Sequence, residues 1–124
     1  MDRIIIPSEL IDFNNYIDSQ RANRFGGNKL KRDQTNLCSM YVARAIKNGL
    51  KIKSYPLVLE FHWYAKDKRK DPDNIAFAKK FILDSMQEVG LLRNDGWREI
   101  YGFSDEFKID KKNPRVEIII LEKE

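Results

Sequence analysis

LVLEFHWYA, residues Leu57–Ala65, alternates apolar with polar or amphipathic side chains at a period of two, the pattern of a half-buried strand. Leu57, Leu59, Phe61 and Trp63 fall on one face, and Val58, Glu60, His62 and Tyr64 on the other. The first face needs a cover, and segments with helical spacing lie on both sides of the strand. Downstream, residues 67–70 read as a loop, and a helix begins near Asp73 or Asn74. Its apolar face is Ile75, Ala78, Ile82, Ser85, Met86 and Val89, widened by Phe77 and Phe81, and Gly90 ends it. Residues 97–101 then read as a strand, and 102–113 as a loop or irregular hairpin. Residues 116–121 are apolar on both faces, as in a strand buried on both sides or used at a subunit contact.

Upstream, residues 3–6 read as a short strand ended by Pro7, which has no N–H for a ladder. Ser8 is placed to cap a helix with the stripe Leu10, Ile11, Phe13, Asn14 and Ile17. Gly26-Gly27-Asn28 interrupts the helical pattern, and a second helix over residues 33–47 stops at Asn48-Gly49. Strands and helices without regular alternation predict an α+β fold: one small domain over residues 1–124, a mixed sheet with helices packed on it.

At 124 residues the chain is long enough for one core and short for two. Hydrophobic residues make up 42% and charged residues 34%, which excludes a disordered or membrane-embedded chain. No apolar run is long enough to span a bilayer, the start is too short for a signal peptide, and the expected location is the cytoplasm. Cys38 is the only cysteine and His62 the only histidine, so a metal site would rest on carboxylates, which favours Mg²⁺, or Mn²⁺, over zinc. Cys38 reads as a packed helix residue, and His62 as a half-buried, hydrogen-bonded strand residue. The net charge of +4 is concentrated in two segments: Arg21, Arg24, Lys29, Lys31 and Arg32, and then Lys66, Lys68, Arg69 and Lys70. The second abuts an acidic pair, as a metal-dependent site for a polyanion requires.

That pair is Asp71 and Asp73, alternate residues around Pro72, which biases Asp71 toward extended backbone. Capping a helix needs one carboxylate. A second on the same side, with Asp95 returning in Asn94-Asp95-Gly96, raises a repulsion that a cation relieves. On a continuous helix Asp73, Lys80 and Asp84 lie within about 40° of one another, while Lys79 points about 120° away. Mg²⁺ on Asp71, Asp73 and Asp95 suits phosphodiester hydrolysis, with Lys80 offsetting developing charge and Lys66, Lys68, Arg69, Lys70 and Lys79 meeting the nucleic acid. Asp84 then has the plain role of an i,i+4 partner to Lys80.

At these residues the chain resembles the RusA family of Holliday-junction resolvases. The match is Asp71-Pro72-Asp73-Asn74, Lys80 within the helix and Asp95 after the next turn, over about residues 57–100. Lys79 is the competing match for the lysine. The resemblance implies a small α+β homodimer, often of phage or prophage origin in a bacterial cell. It would carry Mg²⁺-dependent sites that nick opposite strands of a four-way DNA junction in recombination and repair. Two other readings fit the same residues: a metal-dependent nuclease for other branched DNA or RNA, and a DNA-binding module whose acids are structural.

Overall fold

The computed structural model describes residues 2–123, the Arg24 side chain excepted. The segment Leu57–Ala65 forms a strand, β2, whose residues alternate buried and half-buried along its whole length, as its period of two requires. Around it the chain orders as β1 (Asp2–Pro7), α1 (Phe13–Ala22), α2 (Arg24–Lys47), β2, α3 (Pro72–Ala76), α4 (Lys79–Glu88), β3 (Ile100–Ile109) and β4 (Arg115–Glu122). The four strands make one mixed sheet in the order β1-β4-β2-β3, so the fold is α+β. β4 runs antiparallel to both β1 and β2, whereas β3 runs parallel to β2.

Helices cover one face of the sheet. Ile4 and Ile6 of β1, Val116, Ile118 and Ile120 of β4, and Leu57, Leu59 and Phe61 of β2 meet Cys38 and Val42 of α2 and Phe81, Ile82 and Met86 of α4 in a single core. Burial pushes the Cys38 thiol up to about 12, so it packs as an inert apolar residue. On the other face Glu117, nearly buried, is held by Arg3 at 3.0 Å and by Arg115 at 2.6 Å, and the Arg115 guanidinium lies 3.7 Å above the Tyr64 ring. β4 is thus buried on both sides at the centre of the sheet, as its doubly apolar sequence indicates. His62 is half-buried, its Nδ1 2.8 Å from Glu106 Oε2.

Four expectations are corrected. Ser8 caps no helix: it turns the chain out of β1 at φ 72° while its N–H donates to Pro114 O, and Asp12 caps α1 instead. Gly26-Gly27 does not break the helical pattern, because α2 runs straight through it. A Cβ on Gly27 would stand 3.1 Å from the Gln20 backbone and against its side chain, so this glycine lets α1 and α2 approach closely. Residues 102–113 are not a loop, since β3 fills most of them while Trp97 lies outside the strand. Finally, the helix expected from Asp73 to Gly90 is divided. Around the division Ala78, Lys80 and Phe81 donate to the carbonyls of Ile75, Phe77 and Ala78, the tighter i→i−3 pattern. Phe77, at the division, packs against Phe13, Tyr16 and Phe81 with ring centroids 4.9, 5.3 and 5.6 Å away, which ties α1 to the crossover.

Candidate active site

Parallel neighbouring strands need a crossover connection, and α3 with α4 supplies the one between β2 and β3. A crossover starts at the carboxyl end of its first strand and finishes at the amino end of its second. Asp71 and Asp73 stand at the start and Asp95 near the finish, so the connection carries them to opposite ends of the sheet.

Asp71 is the N-cap residue of α3, with φ −71° and ψ 151°, yet its side chain makes no capping hydrogen bond. Pro72 occupies the first turn, where its missing N–H costs nothing. Asp73 lies inside that turn and accepts from the Asn74 N–H at 2.9 Å, so only Asp71 retains the extended backbone expected of both. Asn74 Oδ1 accepts from the Asn14 N–H of α1 at 2.9 Å, a tie between elements rather than a cap. Both carboxylates are exposed, and among the described residues neither forms an ion pair.

Asp71 lines a hollow with Trp63, Ala65, Lys68, Pro72, Phe107 and Ile109 at the carboxyl ends of β2 and β3. Asp95 lines another with Gly96, Trp97, Ile100 and Phe103 at the amino end of β3. Phe103 and Ile109, one from each hollow, are six residues apart on a strand, roughly 20 Å. Carboxylates sharing one Mg²⁺ must all lie within about 2.1 Å of it. Among the described residues no three acidic, histidine or cysteine side chains are grouped to hold a metal. One chain therefore brings Asp71 and Asp73 to the same helix start and leaves Asp95 apart, because the crossover does not fold back on itself.

The lysines also move from their expected places. The wheel that put Lys80 beside Asp73 assumes 100° per residue throughout, and the tightened turns before α4 break that phase. Lys80 is half exposed and pairs with Asp84 at 3.2 Å, its i,i+4 neighbour. Lys79 instead turns into the groove between α4 and β3. Its Nζ is 2.8 Å from Asp105 Oδ2 and lies 4.7 and 5.0 Å above the Phe103 and Phe61 rings. Asp105 Oδ1 accepts from Trp63 Nε1 at 2.9 Å, so Trp63, Asp105 and Lys79 form one chain of contacts beside the Asp71 hollow. Sequence reading overlooked Asp105 by treating its segment as a loop. The alternation Phe103, Asp105, Phe107, Ile109 is the signal that marks it.

In the basic loop Lys66, Lys68 and Arg69 are exposed, and Arg69 makes only a 3.7 Å contact with Asp67. Lys70 is withdrawn from this set. Its Nζ sits 2.9 Å from Asp12 Oδ2 and 3.9 Å from Glu9, and it serves the nearly buried cap of α1. Burial acts to raise the Asp12 carboxyl, but the Asn15 N–H and the Lys70 ammonium outweigh it and hold the group below the usual carboxylate range. Arg21, Lys29, Lys31 and Arg32 lie exposed on the α1–α2 hairpin, with Lys29 paired to Asp33 at 2.9 Å, while the Arg24 side chain lies outside the described residues. No helix among the described residues is long and apolar enough to cross a membrane. Comparison of the chain with protein-family models and with curated proteins gave no match.

Proposed function

We propose that this chain is a Mg²⁺-dependent, structure-selective endodeoxyribonuclease that acts as a homodimer on Holliday junctions in DNA recombination and repair. The observation that carries the reading is the start of α3: two exposed carboxylates, Asp71 and Asp73, neither in an ion pair among the described residues, directly follow a loop that presents Lys66, Lys68 and Arg69. Capping does not account for Asp71, whose side chain makes no cap bond, while Asp73 accepts from the Asn74 N–H within the first turn. The donors are hard oxygens with open approaches, which fits Mg²⁺, an ion held typically by one or two carboxylates together with water and phosphate. When bound, the ion supplies charge stabilisation at phosphorus and a water of lowered pKa.

The chain's own side chains have separable tasks. Asp71 and Asp73 hold the cation, Lys66, Lys68 and Arg69 draw in the phosphate backbone, and Lys79 reaches the Asp71 hollow only through Asp105, which accepts from the Trp63 indole in its wall. Lys80, pointed outward and paired with Asp84, acts on surface charge alone. The same residues suit other branched DNA or RNA equally well. One observation favours the non-catalytic reading, a DNA-binding module: the distance of Asp95 from the other two acids within a single chain. Asp73→Asn separates the two. A nuclease loses cleavage in that variant while junction binding persists and folding stability holds or rises, and loss of both binding and fold removes the catalytic assignment.

A further inference from the structure

The turn between α1 and α2 carries a charge that the candidate metal site does not use. Residues 21–32 hold five cations and no acid. Arg21, Lys31 and Arg32 are exposed and form no ion pair among the described residues, and Lys29 pairs with Asp33 alone. In their midst Phe25 is 84% exposed. It shares one face of α2 with Lys29 and Arg32, at i, i+4 and i+7. The backbone beneath the ring is fixed. Asn23 Oδ1 accepts from the Phe25 N–H at 2.9 Å and the Gly26 N–H at 3.4 Å, and Gly27 seats α2 closely against Gln20 of α1. A ring presented in this way gives up little backbone entropy on contact.

The turn also stands at a useful distance from the acids. The start of α1 is tied to α3, where the Asn14 N–H donates to Asn74 Oδ1 and the Phe13 ring meets Phe77. From there α1 runs ten residues, about 15 Å, to the turn. Roughly four nucleotide steps of one strand span that length, so one DNA molecule reaches both places.

We infer that Phe25 is a stacking wedge, which receives an unstacked base at the branch point of DNA while Arg21, Lys31 and Arg32 hold the flanking phosphates. A polyanion is the partner that fits, because no acid interrupts the cations. A protein partner would call for a continuous apolar patch, whereas the exposed side chains nearest to Phe25 in sequence include Asn23, Asn28 and Lys29. Every base has a π-face, but in linear duplex its neighbours occupy both faces, and a branch point frees one. The ring thus tells branched from linear DNA without reading sequence. That is the selectivity the proposed function requires, and carboxylates that hold a metal do not supply it.

The wedge rests on the branched-DNA substrate proposed above, not on cleavage, and the test separates the two. Wild type, Phe25→Ala, Phe25→Tyr and Arg32→Gln are titrated in chelator against a synthetic four-way junction with 2-aminopurine at each branch-point base in turn, and against linear duplex labelled likewise. Wild type should raise the fluorescence of one junction position, as that base leaves its stack, and of no duplex position. Phe25→Ala should lose the rise and bind the junction about tenfold more weakly, with duplex affinity unchanged. Phe25→Tyr should restore both, and Arg32→Gln should weaken binding to both DNAs alike and flatten its salt dependence. No rise at any position, equal losses on junction and duplex for Phe25→Ala, or Phe25→Tyr as weak as Phe25→Ala overturns the wedge. Sedimentation of Phe25→Ala as a smaller species than wild type also overturns it, and makes the ring a contact between copies. A Phe25-dependent signal from a wild type that makes no Mg²⁺-dependent nicks overturns the nuclease and supports the wedge. Junction-selective nicking that is unaltered in Phe25→Ala overturns the wedge and supports the nuclease.

Discussion

Truncating Lys79 to alanine tests the groove beside the candidate site, and its cost follows from the contacts. The ammonium loses Asp105 at 2.8 Å and two ring faces at 4.7 and 5.0 Å. Each ring contact contributes about 0.5–1 kcal/mol. The ion pair, with side chains 19 and 27% exposed, falls between surface pairs near 0–1 and buried pairs near 3–5 kcal/mol on loss of one partner. Together the loss is about 2–3 kcal/mol, or roughly 6–12 °C in Tm for a domain of this size. Lys80→Ala removes an exposed i,i+4 pair of about 0.3–0.5 kcal/mol and gains alanine's helix propensity, so it should be close to neutral. Urea unfolding of both variants, with Asp105→Asn and Lys79→Ala/Asp105→Asn closing a cycle, reads the difference directly. Asparagine keeps an acceptor for Trp63 Nε1, so the cycle isolates the charge pair, with an expected coupling of about 1 kcal/mol or more. Equal losses for Lys79→Ala and Lys80→Ala, or a coupling near zero, would refute the placement of Lys79. In junction cleavage the same ranking is expected, Lys79→Ala falling well below Lys80→Ala.

Asp12→Ala should cost about 2–3 kcal/mol, since it removes the α1 cap and strands Lys70. Because the folded carboxyl lies below its unfolded value, its contribution is complete above about pH 4 and is lost as pH falls through the folded value, so wild type and Asp12→Ala should converge in stability at low pH. Gly27→Ala should destabilise by about 1 kcal/mol despite better helix propensity, because its Cβ meets Gln20; higher stability in thermal melts would show that α1 and α2 do not touch there. Arg69→Gln should reduce the salt slope of junction binding by about one phosphate's worth, while Lys70→Gln leaves the slope unchanged and lowers Tm, as binding isotherms at several salt concentrations and a melt will show.

The sheet strands with one apolar face or two were legible because periodicity reports burial directly. Leu57–Ala65 and the doubly apolar run ending at Leu121 both fold as their patterns demand. β3 was not legible, because an edge strand buries little: Phe103, Phe107 and Ile109 alternate with charged residues yet stay partly exposed, and Gly102 with several acids resembles loop composition. Missing β3 hid the parallel crossover. Without it, Asn94-Asp95-Gly96 reads as a turn that comes back to the acids at the helix start, when the chain in fact delivers Asp95 to the far end of the sheet. The helix phase failed for a related reason. Local sequence gives no warning that Phe77 will dock against Phe13 and Tyr16 and tighten the turns before Lys79. The position of Asp71 and Asp73 at a helix start beside exposed Lys66, Lys68 and Arg69 was legible, because neighbours in sequence there remain neighbours in space, whereas the turn of Lys70 toward Asp12 was not.

The central claim is metal-dependent cleavage of branched DNA, and one assay meets it. Purified wild-type protein is incubated with a synthetic four-way junction and with linear duplex of the same sequence, with Mg²⁺ and with excess chelator. Paired nicks in the junction that require Mg²⁺, with linear duplex left intact, are the predicted result. Tight junction binding with no cleavage in Mg²⁺ or Mn²⁺ would contradict the account and make Asp71 and Asp73 structural.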